Sequence, residues 1–420
     1  SGQRGYLPLP THHVLPKLTK EQIETITVNE KLSFGKPKRA ELLAFPDLDD
    51  DVRAYLDLVE EAGGSTLKKY EKMIEANIDG KIYGAFMFNS AHTGRASSKL
   101  VQLQNLKRPI YEDDEAEALM DRVVAGEVIE NPANTLAYLV RPTIYREQGM
   151  TVMDYSAVEY VVLCWLAGNQ EAMDDYAHGV DAYRKLAVKI FHLNSEEDVT
   201  KDQRQAAKIV ILACGFAGGK GAVKSMGVQY GVKFSDAEAQ ALVEGYRQAH
   251  PQEAKLWNDL KLAIMKAVRE PGTEHKVSHV TYESDGKSLW CQLPSGRFLR
   301  YMLPKFEYVV PPGWNKEIPA VTFQDNKKIS SDREEELPRG VLSHIVAVEN
   351  VCQAVANDLL RDAHAVCEQE GLKVFMAVHD ELVVEGNHVD LMKEIMETVP
   401  EWAEGMPLLA DGGFKWMYGK

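Results

Sequence analysis

Gly149-Met-Thr-Val-Met-Asp154 is an apolar run that ends on an acid and passes straight into a helical pattern over 156–167. Two further apolar runs, Val374-Phe-Met-Ala-Val378 and Leu382-Val-Val384, flank His379-Asp380-Glu381 and read as a hairpin with acids at its tip. One carboxylate at a strand end is ordinary turn chemistry. Two carboxylates brought side by side by adjacent strands can do more, because they can hold two Mg²⁺ ions about 3.5–4 Å apart and so serve phosphoryl transfer. Hard oxygen ligands suit Mg²⁺, with water and substrate phosphate completing its shell. Asp154 and Asp380 are therefore the candidate metal ligands, and whether they meet depends on the fold.

Between these acids, Arg204, Lys208, Leu212 and Phe216 are spaced by four, which predicts one stripe along a helix. Two cations followed by two apolar groups can hold a triphosphate at one end and stack a base at the other. The same pattern also describes an amphipathic helix with solvated cations. Gly215, Gly218, Gly219 and Gly221 follow and are expected to end the helix. Elsewhere, helical patterns run through 50–78, 82–88 is strand-like, and 288–301 reads as a hairpin turning at Pro294-Ser295-Gly296. Prolines and mixed charges predict loop over 303–340, and Pro8, Pro10 and Pro16 predict an extended lead-in over 1–20. Val348, Cys352, Val355, Leu359, Ala363 and Val366 step by three and four, which marks a long amphipathic helix. There are no internal repeats.

At 420 residues and 45% hydrophobic content, the chain exceeds what one compact core usually supports, which favours two or three lobes. The net charge of −15 argues against nonspecific coating of nucleic acid, since phosphate contacts need Lys and Arg. Basic residues concentrate at Lys68, Lys69 and Lys72, over 95–108 and over 201–224, while acids crowd 47–61, 112–122 and 332–336. That layout suits a basic cleft in an acidic body, and equally a solvated surface. Five scattered cysteines without a CxxC pair read as free buried thiols. No apolar run approaches the roughly 20 residues needed to cross a bilayer, and no signal-peptide pattern opens the chain; a cytoplasmic location without membrane contact is expected.

In order along the chain, Thr93-Gly94-Arg95, Gln102-Leu-Gln104-Asn105, Asp154-Tyr-Ser-Ala-Val-Glu159, Arg204-x-x-x-Lys208 and Val378-His379-Asp380-Glu381 resemble the signature motifs of family A DNA polymerases. Asp181-Ala-Tyr-x-x-x-Ala187-x-x-x-Phe191 resembles the stretch between the first catalytic acid and the nucleotide-binding helix, and Glu349-Asn-Val-Cys-Gln353-Ala resembles the phage branch. The likeness covers about 65–420. It implies an α+β right-hand polymerase fold: an antiparallel-sheet palm over 86–165 and 336–420, helical fingers over 166–335, and a lead-in with a partial helical thumb over 1–85. A longer thumb and an upstream exonuclease have no room here, so the chain reads as a piece of a longer enzyme or a processed product.

The resemblance implies template-directed addition of deoxynucleotides to a primer 3′ end in phage DNA replication, with two Mg²⁺ ions and Mn²⁺ as an alternative. Asp154 and Asp380 would hold the metals, with Glu381 a supporting carboxylate beside them. Arg204 and Lys208 would grip the incoming triphosphate, with Lys208 also serving the leaving pyrophosphate, and Leu212, Phe216, Tyr183 and Glu159 would line the nucleotide site. Arg95, Gln104, Asn105, Gln353 and His379 would contact DNA. The expected partners are primer-template DNA and deoxynucleoside triphosphates, for a monomer that a processivity factor could assist, in the host cytoplasm. Leu212, Phe216 and Tyr183 depart from the family's aromatic, tyrosine and histidine at those places. A single-subunit RNA polymerase and a catalytically silent DNA-binding subunit are the alternatives. Ser156-x-x-Glu159 fits a capping box, whereas the resemblance makes Glu159 the group that closes the space beside the sugar's 2′ carbon.

Overall fold

In the computed structural model of the chain, which describes residues 15–28, 31–32, 36–62, 67–310, 316–324 and 338–419, the run before Asp154 forms the strand Tyr145–Tyr155. Residues 149–153 are all buried, which is why the run is continuously apolar rather than alternating. This strand lies inside a four-stranded antiparallel sheet in the order Val374–Val378, Glu381–Glu385, Tyr145–Tyr155, Ala410–Met417. The helix Val389–Glu397 packs against the central strand, and the long helix His344–Gln369 packs against both strands of the hairpin. Val348, Cys352, Val355, Leu359 and Ala363 are buried on that long helix as predicted. Its last turn departs from the prediction, since Val366 is exposed and Cys367 continues the buried stripe. All five cysteines are free and buried, and burial pushes the Cys367 thiol up to about 11.

The chain forms two compact units. One comprises residues 1–85 and 100–144, with Gly419; the other holds 86–99 and 145–418. In the first, Leu18, Ile26, Leu42, Leu48, Val52 and Leu56 form a small core among the helices Lys20–Ile26, Lys36–Leu43 and Asp50–Ala62. The Tyr70 hydroxyl donates to the Leu136 carbonyl at 2.8 Å, tying the helix Lys68–Ala76 to Pro132–Leu139 within the same unit. Grouping 100–144 with the N-terminal residues draws a different line from the palm border expected at residue 86.

The second unit carries the sheet built on Tyr145–Tyr155, the short strand pair Phe86–Met87 with Ser97–Ser98, a run of helices from Val158–Ala167 to Pro251–Arg269, and two further antiparallel sheets of four and three strands. One holds the predicted hairpin, Ser288–Gln292 with Phe298–Met302. The other corrects the reading of 303–340 as loop, because Lys305–Val309, Ile318–Gln324 and Arg339–Val341 pair as three strands. Burial of Ala320, Val321 and Thr322 stabilises them despite the local prolines. Residues 325–337, with the acids of 332–336, lie outside the described residues, as does most of the lead-in; Pro16 sits in a short 3₁₀ turn, Leu15–Lys17. Among the described residues no helix is long and apolar enough to cross a membrane.

Gly412 shows how tightly the sheet closes. A Cβ there would stand 2.0 Å from the Val152 carbonyl oxygen and 2.8 Å from the Met153 Cα, both backbone atoms that cannot step aside. Gly412→Ala is therefore expected to lower stability by about 1–3 kcal/mol. Gly413→Ala, where a Cβ meets nothing within 4 Å, should stay within about 0.5 kcal/mol of the parent. Urea unfolding checks this, and equal midpoints for the two variants would contradict the close approach.

Candidate active site

The sheet brings the two predicted acids to one edge. In the antiparallel register Glu381 pairs with Asp154, so Asp380 stands one residue beyond that pair at the hairpin tip. The Tyr155 N–H donates to the Asp380 carbonyl at 3.1 Å, which fixes the two chain segments together where the strand leaves the core. His379 takes the first turn position at φ +58°, the left-handed geometry a two-residue hairpin demands. Its ring is exposed, and Asp154 and Asp380 are half-buried. Glu381 differs from its neighbour: it is 3% exposed, and its carboxylate accepts a 2.6 Å hydrogen bond from the buried Tyr418 hydroxyl.

The opposite neighbour of the central strand adds an acid that the sequence reading passed over. Asp411 pairs with Asp154 from the other side, so Glu381, Asp154 and Asp411 form one row across three strands. The local signal was present, since Pro407-Leu-Leu-Ala410 is another apolar run ending on an acid. Asp411 is exposed, and one of its carboxylate oxygens accepts the Gly412 N–H at 3.0 Å. As a donor set, Asp154 and Asp380 offer hard oxygens, which fit a divalent cation that keeps water and phosphate in its remaining positions. Among the described residues no group of three or more His, Cys, Asp or Glu is arranged to hold an ion unaided.

Thr200 and Gln203 form a reciprocal capping box that starts the helix Lys201–Cys214, another signal missed in the sequence. That start sets Arg204 in the second turn, with Lys208 and Leu212 a turn and two turns farther on. Gly215 ends the helix, so Phe216 lies beyond it and the predicted four-residue stripe is helical only through Leu212. Leu212 is exposed, whereas Phe216 packs against the core. Arg204 Nε donates to Asp181 Oδ2 at 2.7 Å, and its guanidinium lies 5.2 Å from the Tyr183 ring centre. Burial pushes the Asp181 carboxyl up, but Arg204 and the N–H groups of Arg184 and Tyr183 outweigh it and hold it below its ordinary value. Lys208 Nζ stands 5.3 Å from the Tyr230 ring centre.

Glu159 does not cap its helix. The helix starts at Val158 behind Ala157, which sits at φ +46°, and no side-chain cap is made, so the capping-box reading of Ser156 and Glu159 fails. Instead Arg95 Nη2 and Glu159 Oε1 are 2.5 Å apart. Gln353 is half-buried on the long helix, with Nε2 3.4 Å from Glu349 Oε1. Gln104 and Asn105 occupy a 3₁₀ turn, Leu103–Asn105, in the other compact unit.

The expected basic clusters are only partly available to phosphate. Lys69 is buried and donates to the Val101 and Gln102 carbonyls, with burial pulling its pKa down. Lys220 and Lys224 both pair with Asp236, and Lys72 pairs with Glu75.

An antiparallel sheet that brings two acids together, with a helix bearing an arginine–lysine pair between them in sequence, fits the right-hand polymerase fold. The profile of DNA polymerase family A matches residues 48–275. The DNA polymerase of Bacillus phage SP02 is 33% identical over 396 residues, covering 90% of this chain and 59% of the relative. DNA polymerase I of Deinococcus radiodurans is 22% identical over 412 residues, covering 95% of this chain and 34% of the relative. Among solved structures, the POL domain of Pol1 from M. smegmatis, in complex with DNA primer-template and dNTP, covers 97% of this chain and 64% of its own with a TM-score of 0.56 at 16% identity. That last likeness establishes the fold. This chain belongs to DNA polymerase family A, and it spans less than two thirds of the length of these relatives.

The hydrogen bond from Tyr418 makes a testable demand on the Asp154 edge. Tyr418→Phe removes one donor from a buried carboxylate, which should cost about 1–3 kcal/mol. Urea unfolding measures it, and an unchanged midpoint would mean the bond contributes nothing to holding Glu381.

Proposed function

We infer that this chain adds deoxynucleotides to a primer 3′ end under the direction of a template, by two-metal-ion phosphoryl transfer, in phage DNA replication. The observation that carries the reading is the register Glu381 opposite Asp154, which sets Asp154 and Asp380 at one sheet edge. In this reading residues 86–165 and 336–420 act as palm, 166–335 as fingers, and the partial thumb lies within 1–85. The protein works as a monomer in the cytoplasm of a bacterial host, with a processivity factor able to assist it.

Members of the family generally use divalent metals, and here Asp154 and Asp380 would hold two Mg²⁺ ions, or Mn²⁺ in their place. When bound, such ions lower the pKa of an attacking hydroxyl and neutralise charge on the transferring phosphate. Glu381, pinned by Tyr418, supports the Asp380 turn. Arg204 exchanges Asp181 for the incoming triphosphate, and Lys208 supplies charge and a proton to the departing pyrophosphate. Tyr183, Leu212 and Phe216 complete the nucleotide site. Arg95, Gln353 and His379 touch the primer terminus or the minor-groove edge of the new pair, where acceptors are shared by all base pairs, and Gln104 and Asn105 contact the DNA.

Asp154→Asn and Asp380→Asn should each abolish primer extension while leaving primer-template affinity within about tenfold, because the loss falls on transition-state charge. Extension of a labelled primer with Mg²⁺ and deoxynucleotides measures it, and near-normal turnover in either variant would remove that acid from the site.

Glu159→Ala separates a deoxynucleotide enzyme from a single-subunit RNA polymerase. Because Glu159 caps nothing and pairs with Arg95 while partly exposed, its loss should change stability by only about 0–1 kcal/mol. Ribonucleotide incorporation should rise relative to deoxynucleotide incorporation on one template, since the carboxylate no longer closes the 2′ position. An unchanged ratio would refute the gate and favour the RNA polymerase alternative.

A further inference from the structure

Arg297 follows the turn Pro294-Ser295-Gly296 and ties its hairpin to two other stretches of chain, the Thr93 loop and the long helix. Its Nε donates to Asp358 Oδ1 at 2.6 Å, and its Nη2 donates to the carbonyls of Thr93 at 2.9 Å and Ala354 at 3.1 Å. Asp358, on the long helix, is 5% exposed, and its second oxygen accepts the Ser295 hydroxyl at 2.5 Å. The carboxylate is thus satisfied on both oxygens, and the guanidinium is locked in one plane.

That plane lies directly on Gly94. A Cβ at Gly94 would stand 2.7 Å from Arg297 Nη1 and 3.0 Å from Cζ, and Gly94 sits at φ +87°. Glycine is required there for both reasons. The loop it belongs to is short and closed on itself, with the Ala91 N–H on the Arg95 carbonyl at 3.1 Å and the Gly94 N–H on the Ala91 carbonyl at 2.9 Å. His92, two residues before Gly94, is held by the same hairpin, since its ring lies 4.7 Å from that of Tyr301. The residue after Gly94 is Arg95, whose guanidinium meets Glu159.

We propose that Arg297, clamped by Asp358, is a positioning residue that fixes the Thr93-Gly94-Arg95 loop and thereby aims Arg95 at Glu159, so that discrimination against a mispaired primer terminus depends on it. The last clause rests on the polymerase reading; the clamp itself does not. A buried arginine–carboxylate pair in a protein of this size is often a staple and nothing more. The difference here is that two of the guanidinium's three hydrogen bonds go to main-chain carbonyls, one of them next to Gly94, so its loss releases backbone beside the residue that precedes Arg95. Lysine cannot reproduce this, because it offers a point charge without the planar fork.

The test uses Arg297→Gln, Arg297→Lys and Asp358→Asn in the full chain. Hydrogen exchange comes first: amides of 91–97 should exchange about tenfold faster or more in Arg297→Gln and Asp358→Asn, with those of 149–153 unchanged. Unaltered loop exchange overturns the proposal. Extension from matched and mispaired primers follows. Arg297→Gln and Arg95→Ala should each raise the mispaired-to-matched ratio several-fold, and the double variant should exceed Arg95→Ala by no more than about twofold. Multiplicative effects would mean that Arg297 acts apart from Arg95, which also overturns it. Arg297→Lys should restore the melting temperature toward the parent without restoring discrimination; restoration of both would sink the requirement for a guanidinium. If the parent chain fails to extend any primer while its loop still loosens in Arg297→Gln, the polymerase reading falls and the clamp stands.

Discussion

The acids of the site are placed by the register of one strand. Tyr145–Tyr155 is hydrogen-bonded on both sides, to Glu381–Glu385 and to Ala410–Met417, and side chains on a strand alternate faces with a period of two. Both faces of 149–153 are buried, so a slip of one residue would exchange the side chains packed on the two faces and carry Asp154 out of the row it shares with Glu381 and Asp411. The burial of residues 149–153 therefore fixes the position of a polar group that is not itself buried. Gly412 belongs to the same constraint, since its missing side chain lets the last strand close on the Val152 and Met153 backbone. Asp154, Asp380 and Asp411 stand where the sheet emerges from the core, which is the place a carboxylate can be held firmly without paying the full desolvation cost of burial.

The cations divide between structure and chemistry. Lys69 and Arg297 are spent on main-chain carbonyls. Lys220 and Lys224 face Asp236, where solvent makes such pairs weak. Arg204 is different in kind because its partner, Asp181, also caps the helix Ala182–Phe191 through the N–H groups of Tyr183 and Arg184. Asp181 keeps those two donors if Arg204 leaves, so exchanging a carboxylate for a phosphate strands no buried charge. With a net charge of −15, such an exchange also matters globally: a cation with an anionic partner already in place is pre-oriented, and the body of the protein repels polyanions except where those cations lie.

Local patterns made the acids and helices legible. Apolar runs ending at Asp154 and Asp380, the four-residue spacing through Leu212, the 288–301 hairpin and the buried thiols all follow from rules that act within a few residues. Three kinds of feature did not. Asp411 has the same local signature as Asp154, yet only strand pairing reveals that the two are opposite each other. Tyr418 and Arg297 act on residues far away in the chain, and no spacing rule connects them. The strands of 305–324 were hidden because prolines and charges are genuine loop signals, overruled here by burial of Ala320 and Val321 against the surrounding sheet and core.

Glu159 shows how a local rule can fail for a reason that bears on function. Ser-x-x-Glu at a helix start satisfies the capping pattern, but the pattern needs the serine at the cap and the glutamate three residues into the helix. Ala157 occupies the cap in the left-handed region, shifting the start so that Glu159 is the second helical residue. A carboxylate there cannot reach back to the cap N–H and turns outward, where Arg95 meets it. The strained backbone at Ala157 is thus what delivers Glu159 to the same side of the unit as the Thr93-Gly94-Arg95 loop. Under the proposed function, the group that tests the sugar and the group that tests the base pair share one ion pair. In that reading, a movement of Arg95 toward the minor groove would release its contact with Glu159.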